Sequence, residues 1–346
     1  MRVAFVTVGD TDRLTGGYLY NRRLLYGLAE NGVEVEQVVP CGATPAEQAE
    51  ASSEFGGAFE PARFDVLILD ALARIVVAPH LDGWRSVRPV VALVHELPGV
   101  ANPTTGDRER TFEEPLLRCE RLVAVSGHGK WVLLGKGVPA GRVAVVRPGF
   151  DGLEPYSVGA RGGGGPRVLC VAQWIPRKGV LAVVRAWSAE ERPGAVLDLV
   201  GDTDADPGYA AKVLEAASED PSIIVLGPVS DAELAGLYAS ADLFALPSRY
   251  EGYGIVYAEA LSFGLPVVAC AVGPVPEVVG GEAALLVPPG DTDALSGALG
   301  RLLSDAGLRQ KMSAAALRRA ASLPRWRDTV GGFLDVLGAV AGGRGR

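Results

Sequence analysis

The sequence predicts an α/β protein of two doubly wound domains, and three observations predict it. Short β-branched runs alternate with longer segments of helical period, the alternation stops at a glycine-rich stretch, and it then starts again. A chain of 346 residues also has room for two separate cores, at about 150 residues per domain. In the first half, strands are expected at residues 3–8, 33–40, 64–70, 90–94, 121–126 and 142–148. Helices fall between them, for example over 21–31 and 108–119, while 43–57 reads as a short connection. The stretch GARGGGGP at 159–166 has almost no side chains to pack and maximal backbone freedom, so it reads as a linker. Strands are then expected at 167–172, 196–201, 222–227, 243–247, 266–270 and 283–288. Behind Pro324, residues 325–340 form one last amphipathic helix. The expected division is 1–158, a linker at 159–166, a second domain at 167–324 and a terminal helical segment at 325–346.

Composition narrows the class. Hydrophobic residues make up 48% and charged residues 21%, the balance of a chain that folds along nearly its whole length. The formal net charge of −8 argues against nucleic acid as a partner, because such binding needs a basic footprint on phosphates. A small anionic ligand stays open, since a few local cations and backbone amides suffice for it. The four cysteines, Cys41, Cys119, Cys170 and Cys270, are far apart and form no C-x-x-C, so neither a zinc cluster nor a redox pair is indicated. The chain opens directly on a strand-like run and has no apolar stretch of about 20 residues, so the expected location is the cytosol.

In doubly wound sheets ligands bind beyond the carboxyl ends of the strands, and several of those ends carry chemistry. After the first strand, Gly16 and Gly17 precede a helix, either as a turn pair or as a place where amides approach a phosphate or sugar. His95 follows the fourth strand, a better position for contacting a sugar hydroxyl than those of His80 and His128. In QWIPRKG, Arg177 and Lys178 stand just before a helix, where they either complement a diphosphate or form a solvated basic turn. The segment PSRYEGYGIVYAEALSFGLPVVA, 247–269, is the most specific. Gly252 and Gly254 interrupt the turn that opens a helix over 255–263, so free amides and the positive helix end converge there. Glu251 lies just before that turn, and Glu259 sits on the apolar helix itself, where a carboxylate is costly unless satisfied or used.

These residues resemble the retaining glycosyltransferases of GT-B fold whose signature is two glutamates separated by seven residues, glycosyltransferase family 4 or glycosyl transferases group 1. Glu251 and Glu259 enclose seven residues, and the match runs on through ALSFGLPVVA. The HE at 95–96, PGFD at 148–151, PRKG at 176–179, LGPVSDAELAGLYASADLFALPS and the tryptophan of the final helix fall in the family's order, so the resemblance covers nearly the whole chain. It implies two Rossmann-like domains across a cleft, with the last helix crossing back to the first domain. It also implies that Lys178 binds the donor diphosphate, helped by Arg177, by the amides of Gly252, Tyr253, Gly254 and Ile255, and by Gly16 and Gly17. Glu259 takes the ribose hydroxyls, Pro228 and Val229 lie by the base, and His95 and Glu251 are the catalytic residues at the donor sugar. One departure stands out: the family usually has arginine five residues before the lysine, and here that position is Gln173. A neutral contact in place of a charge-assisted one costs about 1–2 kcal/mol of diphosphate binding.

The implied reaction is metal-independent hexosyl transfer from a nucleoside-diphosphate sugar, with retention, by front-face attack in which the leaving phosphate accepts the acceptor's proton. Fixed cations and amides stabilise the charge that develops on that phosphate. No cofactor is expected beyond the nucleotide-sugar, whether a UDP-, GDP-, ADP- or dTDP-sugar. Asp202, Asp204 and Asp206 have the opening spacing of a calcium loop, but the twelfth position is Val213, so they read as a turn. The acceptor is expected on the first domain, along 11–20 and 99–110, and the short connection at 43–57 favours a small molecule. Two other readings stay open, a sugar-nucleotide epimerase of the same fold and a non-catalytic donor-binding subunit. A nicotinamide-dependent oxidoreductase would need a G-x-G-x-x-G run, which the first strand's loop lacks.

Overall fold

The computed structural model describes residues 1–11, 15–42, 44–101, 106–151, 153 and 164–342. The chain divides into two compact units, Met1–Gly149 together with Pro324–Arg346, and Phe150–Leu323. Of the expected linker, residues 159–163 lie outside the described residues, as do 12–14 and 102–105 of the two segments expected to meet the acceptor.

The first unit is built on six parallel strands, β1 (Arg2–Val6), β2 (Glu34–Val38), β3 (Val66–Asp70), β4 (Val90–Val94), β5 (Arg121–Ala124) and β6 (Val143–Val145), in the order β2-β1-β3-β4-β5-β6. β3 and β4 are buried along their whole length, as continuous VLILD and VVALV runs demand in a sheet covered on both faces. β2 reads EVEQV and lies at the sheet edge, where its glutamates can meet water. The final helix, Trp326–Gly342, buries Phe333 and Leu337 in this unit and packs on the helix Gly16–Glu30. Thr329 Oγ1 donates to the carbonyl of Arg147 at 2.8 Å. Gly149 explains how closely the two segments approach, because a Cβ there would lie 2.2 Å from Trp326 N. Gly149→Ala is therefore expected to lower stability by about 2–3 kcal/mol, since backbone rather than a movable side chain blocks the methyl. Differential scanning fluorimetry checks this, and an unchanged melting temperature would refute it.

Residues 44–57, expected as part of a short connection, are not one. The helix Pro45–Ala58 runs through them, opened by a capping box in which Thr44 Oγ1 accepts from Glu47 N and Thr44 N donates to Glu47 Oε2. Its buried face is thin and polar, Gln48 and Ser52, with Ser52 Oγ donating to Val76 O at 2.7 Å, so hydrophobic periodicity does not reveal it. The compact first domain that favoured a small acceptor thus loses its stated basis.

The second unit has six parallel strands, β7 (Arg167–Val171), β8 (Val196–Val200), β9 (Ile223–Gly227), β10 (Leu243–Leu246), β11 (Val267–Cys270) and β12 (Ala284–Val287), in the order β12-β11-β10-β7-β8-β9. Chain direction across the sheet reverses between β7 and β10, the switch point of a doubly wound sheet. Cys170 and Cys270 are buried on these strands, and burial pushes the Cys170 thiol up to about 12, where it is inert. Among the described residues no helix is long and apolar enough to cross a membrane.

Candidate functional site

The loops after β7 and β10 meet at the switch point, and of the residues expected at the phosphate the structure brings Arg177 and Lys178 together with the turn after β10, whereas Gly16 and Gly17 belong to the first unit. A Cβ on Gly179 would lie 2.6 Å from Pro247 O, and Gly179 has φ +75°, so only glycine allows these loops to approach so closely. Arg249 N donates to Arg177 O at 2.7 Å, and Arg177 Nη1 reaches Tyr250 O at 3.4 Å. The two loops are thereby zipped edge to edge.

Lys178 and Glu251 form the centre of this junction. Lys178 Nζ donates to Glu251 Oε1 at 2.7 Å and Oε2 at 2.8 Å, and Ser248 Oγ donates to Oε1 at 2.7 Å. Their side chains are 15% and 4% exposed, so this is a nearly desolvated ion pair rather than a surface one. Burial pushes the Glu251 carboxyl up, but Lys178, then Arg177 and the Ser248 hydroxyl, outweigh it and hold the group below its ordinary value. Gly254, with φ +90°, is the residue before the helix Ile255–Ser262, so the chain enters that helix through Gly252, Tyr253 and Gly254 with its first amides directed outward.

Glu259 lies in the same helix and does not join the ion pair. It accepts from Tyr238 Oη at 3.1 Å, in a buried environment. Burial pushes its carboxyl up to about 7; the Tyr238 hydroxyl opposes the shift and Asp231 adds to it. Pro228, exposed, and Val229, half-buried, lie between β9 and the helix Asp231–Ser240, whose N-terminus carries a Ser230/Glu233 capping box. Gln173 is half-buried after β7, and no described residue hydrogen-bonds its side-chain amide. Asp202 Oδ1 accepts from Asp204 N and Asp206 Oδ1 from Tyr209 N, the latter capping the helix Pro207–Ser218.

In the first unit the switch point falls between β1 and β3, and a second polar cluster occupies it. The helix Gly16–Glu30 begins at the glycine pair itself, five residues earlier than the sequence reading places it. A Cβ on Gly17 would touch the His95 ring at 3.8 Å, so Gly17 and His95 are neighbours. His95 Nε2 lies 2.9 Å from Asn21 Oδ1, and its ring meets Tyr20 edge-on at 5.1 Å between centroids. Asn21 Nδ2 donates to Asp70 at 2.6 Å, and Thr7 Oγ1 donates to the same carboxylate oxygen at 2.9 Å. Burial lowers the His95 pKa below its ordinary 6.5, against the opposing charges of Asp70 and Glu96. The other histidines have different surroundings: His80 bonds Ser52 and stacks on Trp84, and His128 lies beside Trp131.

Sequence reasoning missed Asn21, Asp70, Thr7, Ser248 and Tyr238. A signal existed for Asp70 alone, an ionisable residue closing the wholly apolar run VLIL.

Two six-stranded parallel sheets, each with its polar cluster at the switch point, define a two-domain Rossmann-like protein of GT-B fold. Solved structures agree: sucrose-phosphate synthase from Thermosynechococcus elongatus aligns over 99% of both chains with a TM-score of 0.83 at 21% identity. Anabaena HepE in complex with UDP and glucose aligns over 98% of this chain and all of its own, with a TM-score of 0.79 at 19% identity. Residues 165–305 match the model of the family Glycosyl transferases group 1. That segment belongs to the family. It is 31% identical over 268 residues to MMP alpha-(1->4)-mannosyltransferase of Mycolicibacterium hassiacum, covering 69% of this chain. It is 32% identical over 276 residues to D-inositol 3-phosphate glycosyltransferase of Mycobacteroides abscessus, covering 72% of this chain. These matches span only 62% and 60% of the two relatives' own lengths.

Proposed function

We propose that the protein is a retaining glycosyltransferase that moves a hexosyl group from a nucleoside-diphosphate sugar to an acceptor hydroxyl without a metal. The observation that carries the reading is the nearly buried Lys178–Glu251 pair at the β7/β10 switch point, beside a helix opened by glycines. Lys178, Arg177 and the amides of Gly252, Tyr253, Gly254 and Ile255 hold the diphosphate, and Gln173 contributes a neutral contact where a charge is usual. Gly16 and Gly17 give room for the donor beside the first helix. Glu259 takes the ribose hydroxyls, and Pro228 and Val229 border the base.

In the proposed step the bond between the anomeric carbon and the diphosphate oxygen breaks while the acceptor oxygen attacks the same face. The acceptor's proton passes to the leaving phosphate oxygen, so no protein nucleophile is needed. Glu251 stabilises the positive charge that develops on the sugar, and His95 bonds a sugar hydroxyl. The names of the relatives supply the first donors and acceptor to try: one is described as GDP-mannose-dependent, one structure contains UDP and glucose, and one relative is a D-inositol 3-phosphate glycosyltransferase.

The test is a thermal-shift panel of uridine, guanosine, adenosine and thymidine diphosphates with their common sugar conjugates, in chelator, followed by product analysis with candidate acceptors. One nucleotide is expected to raise the melting temperature, by an amount equivalent to about 2.7 kcal/mol at a hundredfold excess over Kd, and its sugar to be transferred with retention. No shift at millimolar nucleotide would overturn the donor-binding reading. Binding with no transfer to any acceptor would favour a non-catalytic subunit, and release of an epimerised donor would favour an epimerase.

A further inference from the structure

Asn21 stands between two groups whose hydrogen-bonding characters differ. On one side is the Asp70 carboxylate, buried at the end of β3, which accepts from Thr7 Oγ1, from Leu72 N and from Asn21. A carboxylate with three donors around it offers only acceptor capacity, so the side of the Asn21 amide facing it at 2.6 Å must be the NH2. The amide cannot then be flipped, and its oxygen is left facing His95 Nε2 at 2.9 Å. An amide oxygen only accepts. The ring nitrogen opposite it must therefore carry the hydrogen.

We propose that Asn21 is a positioning residue for His95: together with Asp70 it fixes the imidazole as the Nε2–H tautomer and leaves Nδ1 as the ring's only acceptor. The direction of the chain is set at its buried end, Asp70 to Asn21 to His95, and each link is a single hydrogen bond. Thr7 and Leu72 hold the carboxylate, and the Tyr20 ring packs perpendicular to the imidazole. On the reading that His95 meets the donor sugar, Nδ1 accepts a hydrogen bond and selects a sugar hydroxyl as the donating group there. A protonated ring cannot do this, because both nitrogens then donate. Asp70 and Glu96 are the charged groups acting on the ring, and both favour its protonation, but burial outweighs them and keeps the acceptor form present toward acid pH.

The inference is tested on the full chain in two ways. With only three histidines in the sequence, ¹⁵N correlation spectra of the ring nitrogens can be assigned with His95→Gln alone. His95 is expected as pure Nε2–H through the neutral range, titrating below 6.5. Asn21→Ala is expected to release the ring to a mixture of tautomers. A His95 protonated at Nδ1, or a tautomer unchanged in Asn21→Ala, would overturn the proposal, and neither result depends on turnover. In transfer assays Asn21→Ala is expected to lower kcat about tenfold with little change in donor KM. Asn21→Asp keeps an acceptor toward Nε2 but loses the donor to Asp70 and sets a second carboxyl group beside it, so it is expected to restore only part of kcat while the added negative charge moves the acid limb of the pH profile upward. Equal loss in both variants with an unmoved acid limb would mark Asn21 as merely structural. If no transfer is found with any substrate, the proposed function fails while the spectra still decide the role of Asn21.

Discussion

Lys178→Ala is expected to abolish the rise in melting temperature produced by nucleoside diphosphates and, separately, to cost the unliganded protein about 3 kcal/mol. The two losses have different causes. The first removes the point charge proposed to meet the diphosphate. The second leaves Glu251, 4% exposed and bonded otherwise to Ser248, as a buried carboxylate without its counter-charge. The sign with pH distinguishes this from a general folding defect. In the native protein the Glu251 pKa is depressed, so its contribution is present above the ordinary value of 4.5 and is lost as pH falls through the lower folded value. Without Lys178, burial is the dominant influence and raises the pKa, so the contribution is present at acid pH and lost as pH rises above 4.5. The variant's deficit in melting temperature should therefore widen between pH 4 and pH 8. Lys178→Ala combined with Glu251→Gln removes the stranded charge, so it should regain most of the stability and none of the nucleotide response. A double variant as unstable as the single one would show that the pair contributes through something other than charge compensation.

The same pair shows what the sequence could and could not supply. All six strands of each sheet are legible, the central ones because parallel strands buried on both faces read as continuous apolar runs, and β4 begins and ends where expected. Lys178, Glu251 and Glu259 stand out because charge is rare beside glycine turns and on apolar helices. Their partnering is not legible. Lys178 and Glu251 are 73 residues apart, and only the adjacency of β7 and β10, a property of the sheet order, brings them together. The helix Pro45–Ala58 stays hidden for the opposite reason, since its cap is clear but its buried face is Gln48 and Ser52 rather than leucines. Asn21 is hidden because a polar residue in YLYNRRLL reads as solvent-facing, and its inward turn is justified only by an aspartate 49 residues on.

Glu259→Gln is expected to change stability by less than about 1 kcal/mol at pH 5 and to raise it by up to about 3 kcal/mol at pH 8. The folded pKa is raised, from 4.5 to about 7, so the contribution of the group is fully present below 4.5 and disappears as pH climbs through about 7. At about 1.4 kcal/mol per pH unit, that interval sets the size of the effect. Glutamine keeps the shape and can still accept from Tyr238, but it has no charge to bury. Were Glu259 only a packing residue, glutamine would be the better choice at neutral pH, and the native protein accepts the cost of the carboxylate. The proposed use is the ribose diol, whose two hydroxyls donate best to an ionised carboxylate. Nucleotide affinity in the native protein should then strengthen as pH rises through about 7, because binding favours the ionised form, whereas Glu259→Gln should bind weakly with no such dependence. Melting curves at pH 5 and pH 8, with and without the nucleotide identified in the panel, measure both effects together. Parallel pH dependence in the native and variant proteins would remove Glu259 from the ribose site, and a variant less stable at pH 8 would show that its carboxylate is satisfied by more than Tyr238.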